Sequence, residues 1–161
     1  MEENNKHVQP NSKEEGVQRL NRILSESLIK ATDTYKTPPQ IIWVDNSSIA
    51  TLGNFSASTG KAKAKKTFNV SALVAASLAN GKVLNYRASL PEGKRKILYV
   101  DTEQSRYHCH NVLERILKLA GLPTSIDNEN LDFICLREYT PSVRIAVSYT
   151  HLRAHETLSD L

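Results

Sequence analysis

Apolar residues recur along this chain in two periods, and the places where the period changes divide it into elements. Between Glu14 and Ala31, Val17, Leu20, Ile23, Leu24, Leu28 and Ile29 fall on one face of a predicted helix, and Pro38-Pro39 follows as a stiff connector. Gln40 to Val44 reads as a short apolar strand, Asp45 to Ser48 as a turn, and Ile49 to Ala57 as a second strand, a pattern that predicts a hairpin. Ser58 to Lys66 is small, polar and cationic, a loop by composition. Thr67 to Asn80 carries Phe68, Val70, Leu73, Val74 and Leu78 at helical spacing, with Gly81 suited to the helix end. A loop with Pro91 and Gly93 follows, and then Ile97 to Val100, a compact run of the buried-strand type. Tyr107 to Ala120 is the clearest helix, closed by Gly121-Leu122-Pro123, and Leu131 to Leu136 is another buried strand. Thr140-Pro141 announces a final helix, with threonine as cap and proline at the first helical position.

Strand, loop, helix, strand, helix, strand is the order expected of an α/β fold with parallel strands and right-handed crossover helices. Three segments are expected: a polar N-terminal segment with the amphipathic helix (1–36), an α/β domain (37–146) and a tail (147–161). The first 13 residues are polar enough to be expected disordered.

Composition narrows the class. A chain of 161 residues suits one ordinary domain. Its 21 Lys+Arg against 17 Asp+Glu give a net charge of +4, a slight bias toward an anionic partner. No stretch approaches the roughly 20 apolar residues of a membrane span, and the polar N-terminus lacks the apolar core of a secretory signal. The cysteines Cys109 and Cys135 are too few for a disulfide scaffold. A cytoplasmic protein without membrane contact is expected.

The tail breaks the pattern. Tyr149, His151, Arg153 and His155 follow the helix start with no sustained period. Val147 to Glu156 also resembles, codon for codon, the translation of a transposase-based sequencing-library adapter. On that reading the tail is non-native, without an evolved packing surface, and the gene product is truncated. The alternative is a real histidine-bearing tail, in which His151 and His155, four residues apart, share one helix face at metal-ligand spacing.

Two stretches carry candidate chemistry. Gly60, Lys61, Ala62, Lys63, Ala64, Lys65, Lys66 and Thr67 fit G-x-x-x-x-G-K-[ST] except at the second glycine, occupied by Lys65, and they lie between a strand and a helix as that motif requires. A loop entering a helix offers free backbone N–H groups and the positive end of the helix dipole to a phosphate. Lys66 would reach the β- and γ-phosphates of ATP, and the Thr67 hydroxyl would hold Mg2+. A side chain at Lys65 can obstruct the approach that glycine permits. The plainer alternatives are a solvated lysine loop or a basic patch on nucleic acid. The second stretch, Ile97 to Glu103, sets Asp101 and Glu103 beyond the carboxyl end of a strand, the edge at which parallel α/β sheets bind ligands. With parallel neighbours, Glu103 would stand near the phosphate loop and activate an attacking water; Asp101 would hold Mg2+ through water or simply cap the loop. His108, Cys109 and His110 are consecutive, so on a helix they point apart and serve structural or solvent-facing roles rather than one metal.

GNFSASTGKAKAKKTF and ILYVDTEQSRYHCHNVLERIL together resemble the RecA-like AAA family of P-loop ATPases, in particular the RepA-helicase-like ATPases of bacterial mobile elements, over about Ile41 to Ile145. The resemblance implies a partial RecA-like P-loop NTPase core behind an N-terminal helix. It carries the phosphate-loop lysine and threonine onto Lys66 and Thr67, and the water-activating glutamate onto Glu103. It further implies a homo-oligomer acting on DNA when complete, with the Walker B strand and the nucleic-acid loops lying after Ile145, so that hydrolysis belongs to the longer gene product and this chain is expected to be inactive. The competing expectation is a basic nucleic-acid-binding module gripping backbone phosphates through Lys61 to Lys66 without hydrolysis.

Overall fold

The computed structural model describes residues 12–61 and 64–159. Most of the N-terminal stretch expected to be disordered, together with Ala62 and Lys63 of the phosphate loop, lies outside them. The chain divides between Thr37 and Pro38 into two compact units.

The first unit holds helix α1 (Ser12–Ser27). Its apolar stripe forms as the spacing predicts, yet Val17, Leu20 and Leu24 stay more than half exposed. Beyond the helix, the Asp33 carboxylate accepts hydrogen bonds from the Lys30 N–H and the Tyr35 hydroxyl, both at 2.9 Å, which closes a turn.

The second unit is mixed α and β. Strands β1 (Gln40–Val44) and β2 (Ser47–Thr51) form the expected hairpin, but its turn is tighter, at Asp45-Asn46, and the second strand ends at Thr51 rather than at Ala57, well before Gly60. Asp45 takes a left-handed backbone (φ 50°), which a short polar side chain tolerates. Helix α2 (Lys66–Ala79) follows the lysine loop. Next come two strands that the sequence pattern reads as loop, β3 (Lys82–Val83) and β4 (Tyr86–Ala88). They are too short to display an alternation, and their turn begins with Leu84 at φ 53°, a residue that does not signal such a turn. Strand β5 (Ile97–Asp101), helix α3 (Arg106–Leu119), strand β6 (Leu131–Cys135) and helix α4 (Pro141–Ser159) complete the chain.

The strands form two sheets. One is antiparallel, in the order β2-β1-β4-β3; the other is the parallel pair β5-β6, with Asp101 opposite Cys135 at its carboxyl end. This corrects the expectation of parallel strands from Ile49 onward: β2 is the outer strand of the antiparallel sheet, paired with β1, and β5 lies in the other sheet. Strands β5 and β6 are half-buried rather than fully buried, as suits a two-stranded sheet.

Helix α2 joins the two sheets. It packs on β3 and β4, on α3, and on β5. Ala72, Ala75 and Ala76 are almost wholly buried, and their small side chains admit this close approach. The buried hydroxyls of Ser71 and Ser77 donate to the carbonyls of Thr67 and Leu73 one turn back, so they are satisfied locally. Ile42, Val74, Val83, Val112, Ile116 and Leu131 complete one core reaching both sheets.

Helix ends follow local chemistry. After α3, Gly121 is left-handed (φ 73°), with Leu122 N–H bonded to Leu117 O and Gly121 N–H to Lys118 O, a Schellman closure. After α2 the left-handed residue is Asn80 (φ 46°) rather than Gly81, while Gly81 N–H reaches Ala76 O. Asparagine suits the position, and its Oδ1 also accepts Leu90 N–H at 2.6 Å. Helix α4 begins at Thr140-Pro141 as predicted, with Arg144 N–H on Thr140 O.

The tail departs from expectation: α4 runs through it to Ser159. No Gly or Pro interrupts residues 142–159, so the helix propagates without a periodic apolar face. Ile145, Tyr149 and Leu152 remain largely exposed, but His151 Nε2 meets Asp132 Oδ2 at 2.8 Å.

Candidate functional site

The lysine loop enters α2 through a residue in an unusual conformation. Lys65, at the second glycine position of the motif, sits at φ 55°, ψ 26°, in the left-handed region. A Cβ in that region crowds the following carbonyl, the strain that glycine avoids. The backbone here therefore takes a shape that glycine favours, with lysine supplying the side chain.

At Gly60 a Cβ would stand at ordinary contact distance, 3.4 Å from Ala64 Cβ and 3.7 Å from Lys66 Cδ, so neither space nor backbone shape demands glycine there. Lys66 Nζ donates to the Gly60 carbonyl at 2.8 Å. Ala64 N–H bonds to Lys61 O at 3.2 Å, tightening the turn before Lys65. Lys61, Ala64, Lys65 and Lys66 are exposed, and Thr67 is half-buried.

No described side chain caps the N-terminus of α2, and its first turn holds no acid. Such an end carries unpaired N–H groups and partial positive charge, with lysines at positions 61, 65 and 66 around it. It can receive an anion.

At the end of β5, Asp101 is buried, 8% exposed. Its Oδ1 accepts the backbone N–H groups of Glu103 and Gln104 at 2.9 and 2.7 Å, and its Oδ2 accepts Gln104 Nε2 at 2.8 Å. The carboxylate caps this turn, the second of the two roles open to it in the sequence. Glu103 projects from the turn with its side chain exposed. Because β2 and β5 lie in separate sheets, strand pairing does not set Glu103 beside the lysine loop; the link between the two stretches is α2, which carries the loop and packs on β5.

The neighbouring histidines point apart. His108 Nδ1 meets Ser105 Oγ at 3.0 Å, and His110 lies 3.7 Å from Glu114 one turn on. Among the described residues no group of three or more His, Cys, Asp or Glu is placed to hold a metal ion.

Two features escape spacing arguments. A cleft of about 640 Å3 opens along α3 and the loop before β6, lined by Glu114, Asp127, Glu129 and Asp132 among others, and it contains none of the lysine-loop residues. The thiols of Cys109 and Cys135 converge on one carbonyl, that of Gln104, at 3.7 and 3.4 Å. Only the β5-α3-β6 connection brings them together, since α3 starts at the edge where β6 ends.

Comparison with protein-family models, with curated proteins and with solved structures finds no match to this chain.

Proposed function

We propose that the chain is the ATP-binding part of a RecA-like ATPase that acts on DNA. The observation that carries the reading is the left-handed Lys65 at the entry to an uncapped helix N-terminus, where the motif calls for glycine. Lys65 and Lys66 bring positive charge to that helix end, where a polyphosphate would find backbone N–H donors, and the Lys66 ammonium lies on the Gly60 carbonyl. Bound nucleotide would bring Mg2+, which neutralises phosphate charge; the Thr67 hydroxyl would hold it, and Asp101 would reach it only through water, because both its oxygens already accept hydrogen bonds. Glu103 would orient the attacking water in a site completed by the rest of the ATPase or by a further copy.

Nucleotide binding separates this reading from a diffuse basic patch. Lys66→Ala is expected to weaken Mg2+-ATP binding by about 1.5–3 kcal/mol, the loss of a charge-assisted phosphate contact. Lys61→Ala, at the exposed start of the loop, should change it little, and Glu103→Gln should leave affinity intact. Titration of a fluorescent ATP analogue measures all three. Equal losses for both lysines would sink the phosphate-loop reading.

A second reading, nucleic-acid binding without nucleotide, has one observation in its favour. On the antiparallel sheet Trp43 pairs with Arg87, and Arg87 with Lys82, while the Arg87 guanidinium lies 3.8 Å over the Trp43 ring. Cation and aromatic together are what single strands stack on. Salt-dependent oligonucleotide binding lost in Arg87→Ala but kept in Lys66→Ala would favour it.

A further inference from the structure

The carboxyl edge of the β5-β6 pair holds a pair of thiols beside the Asp101 turn. Cys109, in the first turns of α3, is 4% exposed, and Cys135, the last residue of β6, is half-buried. Both donate to the Gln104 carbonyl, Cys109 at 3.7 Å and Cys135 at 3.4 Å. They also share the wall of a cleft of about 270 Å3, with Arg106 and His110 beside them, so a small reagent can enter where they meet. Gln104 is in turn tied to Asp101 through its backbone N–H and its side chain.

We propose that Cys109 and Cys135 form a redox-active dithiol, which low-molecular-weight disulfides convert to an intramolecular disulfide that loosens the Asp101–Gln104 turn. Cys135, the more accessible, attacks one sulfur of the small disulfide as its thiolate and expels the other half as a thiolate. Cys109 gives up its proton to water and attacks Cys135 Sγ, expelling the second half. Each cysteine loses one hydrogen, one S–S bond replaces another, and the reagent leaves as two reduced thiols. Burial first, then the hydrogen bond with Cys135 and the charge of Asp101, pushes the Cys109 thiol up to about 12. The closing step is therefore the slow one.

Closure acts on the turn in two ways. The Gln104 carbonyl loses both S–H donors at once. The sulfurs must also leave that shared carbonyl and close to about 2.05 Å, drawing the start of α3 toward the end of β6. The turn loosens on closure whether or not it serves a nucleotide.

The test is incubation of the whole chain with oxidised glutathione from pH 7 to 9, followed by mass measurement, peptide mapping and amide exchange. The expected product is a monomer lighter by two hydrogens, its Cys109 and Cys135 peptides linked, restored by dithiothreitol. Closure should quicken about tenfold per pH unit across this range, because the Cys109 thiolate fraction does. Amides of Glu103 and Gln104 should exchange several-fold faster in the oxidised chain, while those in the core of α2 stay unchanged. Cys109→Ala should stop at a stable glutathione adduct on Cys135. Persistent adducts on the unsubstituted chain at pH 9, disulfides only between chains, or unaltered exchange at Glu103 and Gln104 after closure would each overturn the proposal; the first two need no variant to fold.

Discussion

At Lys65 a single residue carries both strain and charge. Holding a non-glycine residue in the left-handed region costs roughly 1–2 kcal/mol. Glycine would remove that cost but lose more backbone entropy on folding, which offsets part of the gain. Lys65→Gly is therefore expected to raise stability by about 0.5–1 kcal/mol, a shift of a few degrees in Tm. Lys65→Val should lower it, because a β-branched side chain fits this region worst. Thermal melts of the two variants check the pair. A lower Tm for the glycine variant would mean that the lysine side chain makes contacts outweighing its backbone strain. Gly60 carries no such strain, and a Cβ there would meet its neighbours at ordinary contact distances.

At the scale of elements, an ion pair ties α4 to β6. Asp132 on β6 meets Lys96 Nζ at 3.1 Å and His151 Nε2 at 2.8 Å. Partial burial pushes the Asp132 carboxyl up, but the hydrogen bonds from Lys96 and His151 and their charges outweigh it and hold its pKa below the usual value. A lowered folded-state pKa stabilises the fold above the unfolded carboxylate value of about 3.9, and that contribution disappears as pH falls through the lowered value. Asp132→Asn should thus cost about 0.5–1 kcal/mol at neutral pH, the scale of a partly exposed ion pair, and nothing once the wild-type carboxyl is protonated. Denaturant melts at pH 7 and at successive steps below pH 4 give the comparison. A cost that does not shrink as pH falls would point to lost packing instead of lost charge. Removing residues 147–161 should shift the melting temperature by no more than a few degrees, because Tyr149 and Leu152 are largely exposed.

For the second unit as a whole, the question is whether two sheets make one cooperative structure. Ile116 is fully buried in the core that also holds Ile42, Val83 and Ala88 of the antiparallel sheet and Leu131 of the parallel pair. Ile116→Ala should cost about 2–5 kcal/mol through lost burial and the cavity left behind. Because the core is shared, Trp43 fluorescence on the antiparallel sheet and far-UV circular dichroism should report the same lowered midpoint. Separate midpoints for the two signals would show that the sheets unfold independently.

Local periodicity was enough to place α1, α2, α3, the first hairpin and strands β5 and β6, because each is long enough for its apolar spacing to repeat or is bounded by turn residues. The lysine loop was legible for the same reason: its residue types and its position between strand and helix are both written in order along the chain. The β3-β4 hairpin was not, since strands of two and three residues leave no period and Leu84 disguises the turn. The first hairpin and the parallel β5-β6 pair follow from the order of the elements, but which strand covers the far edge of β1 does not: β4 takes it, a pairing between distant segments. Tertiary packing likewise put β2 and β5 in separate sheets and set two distant cysteines on a single carbonyl. Spacing along the chain determines which elements form. Which residues meet is decided where their buried faces compete for the same core.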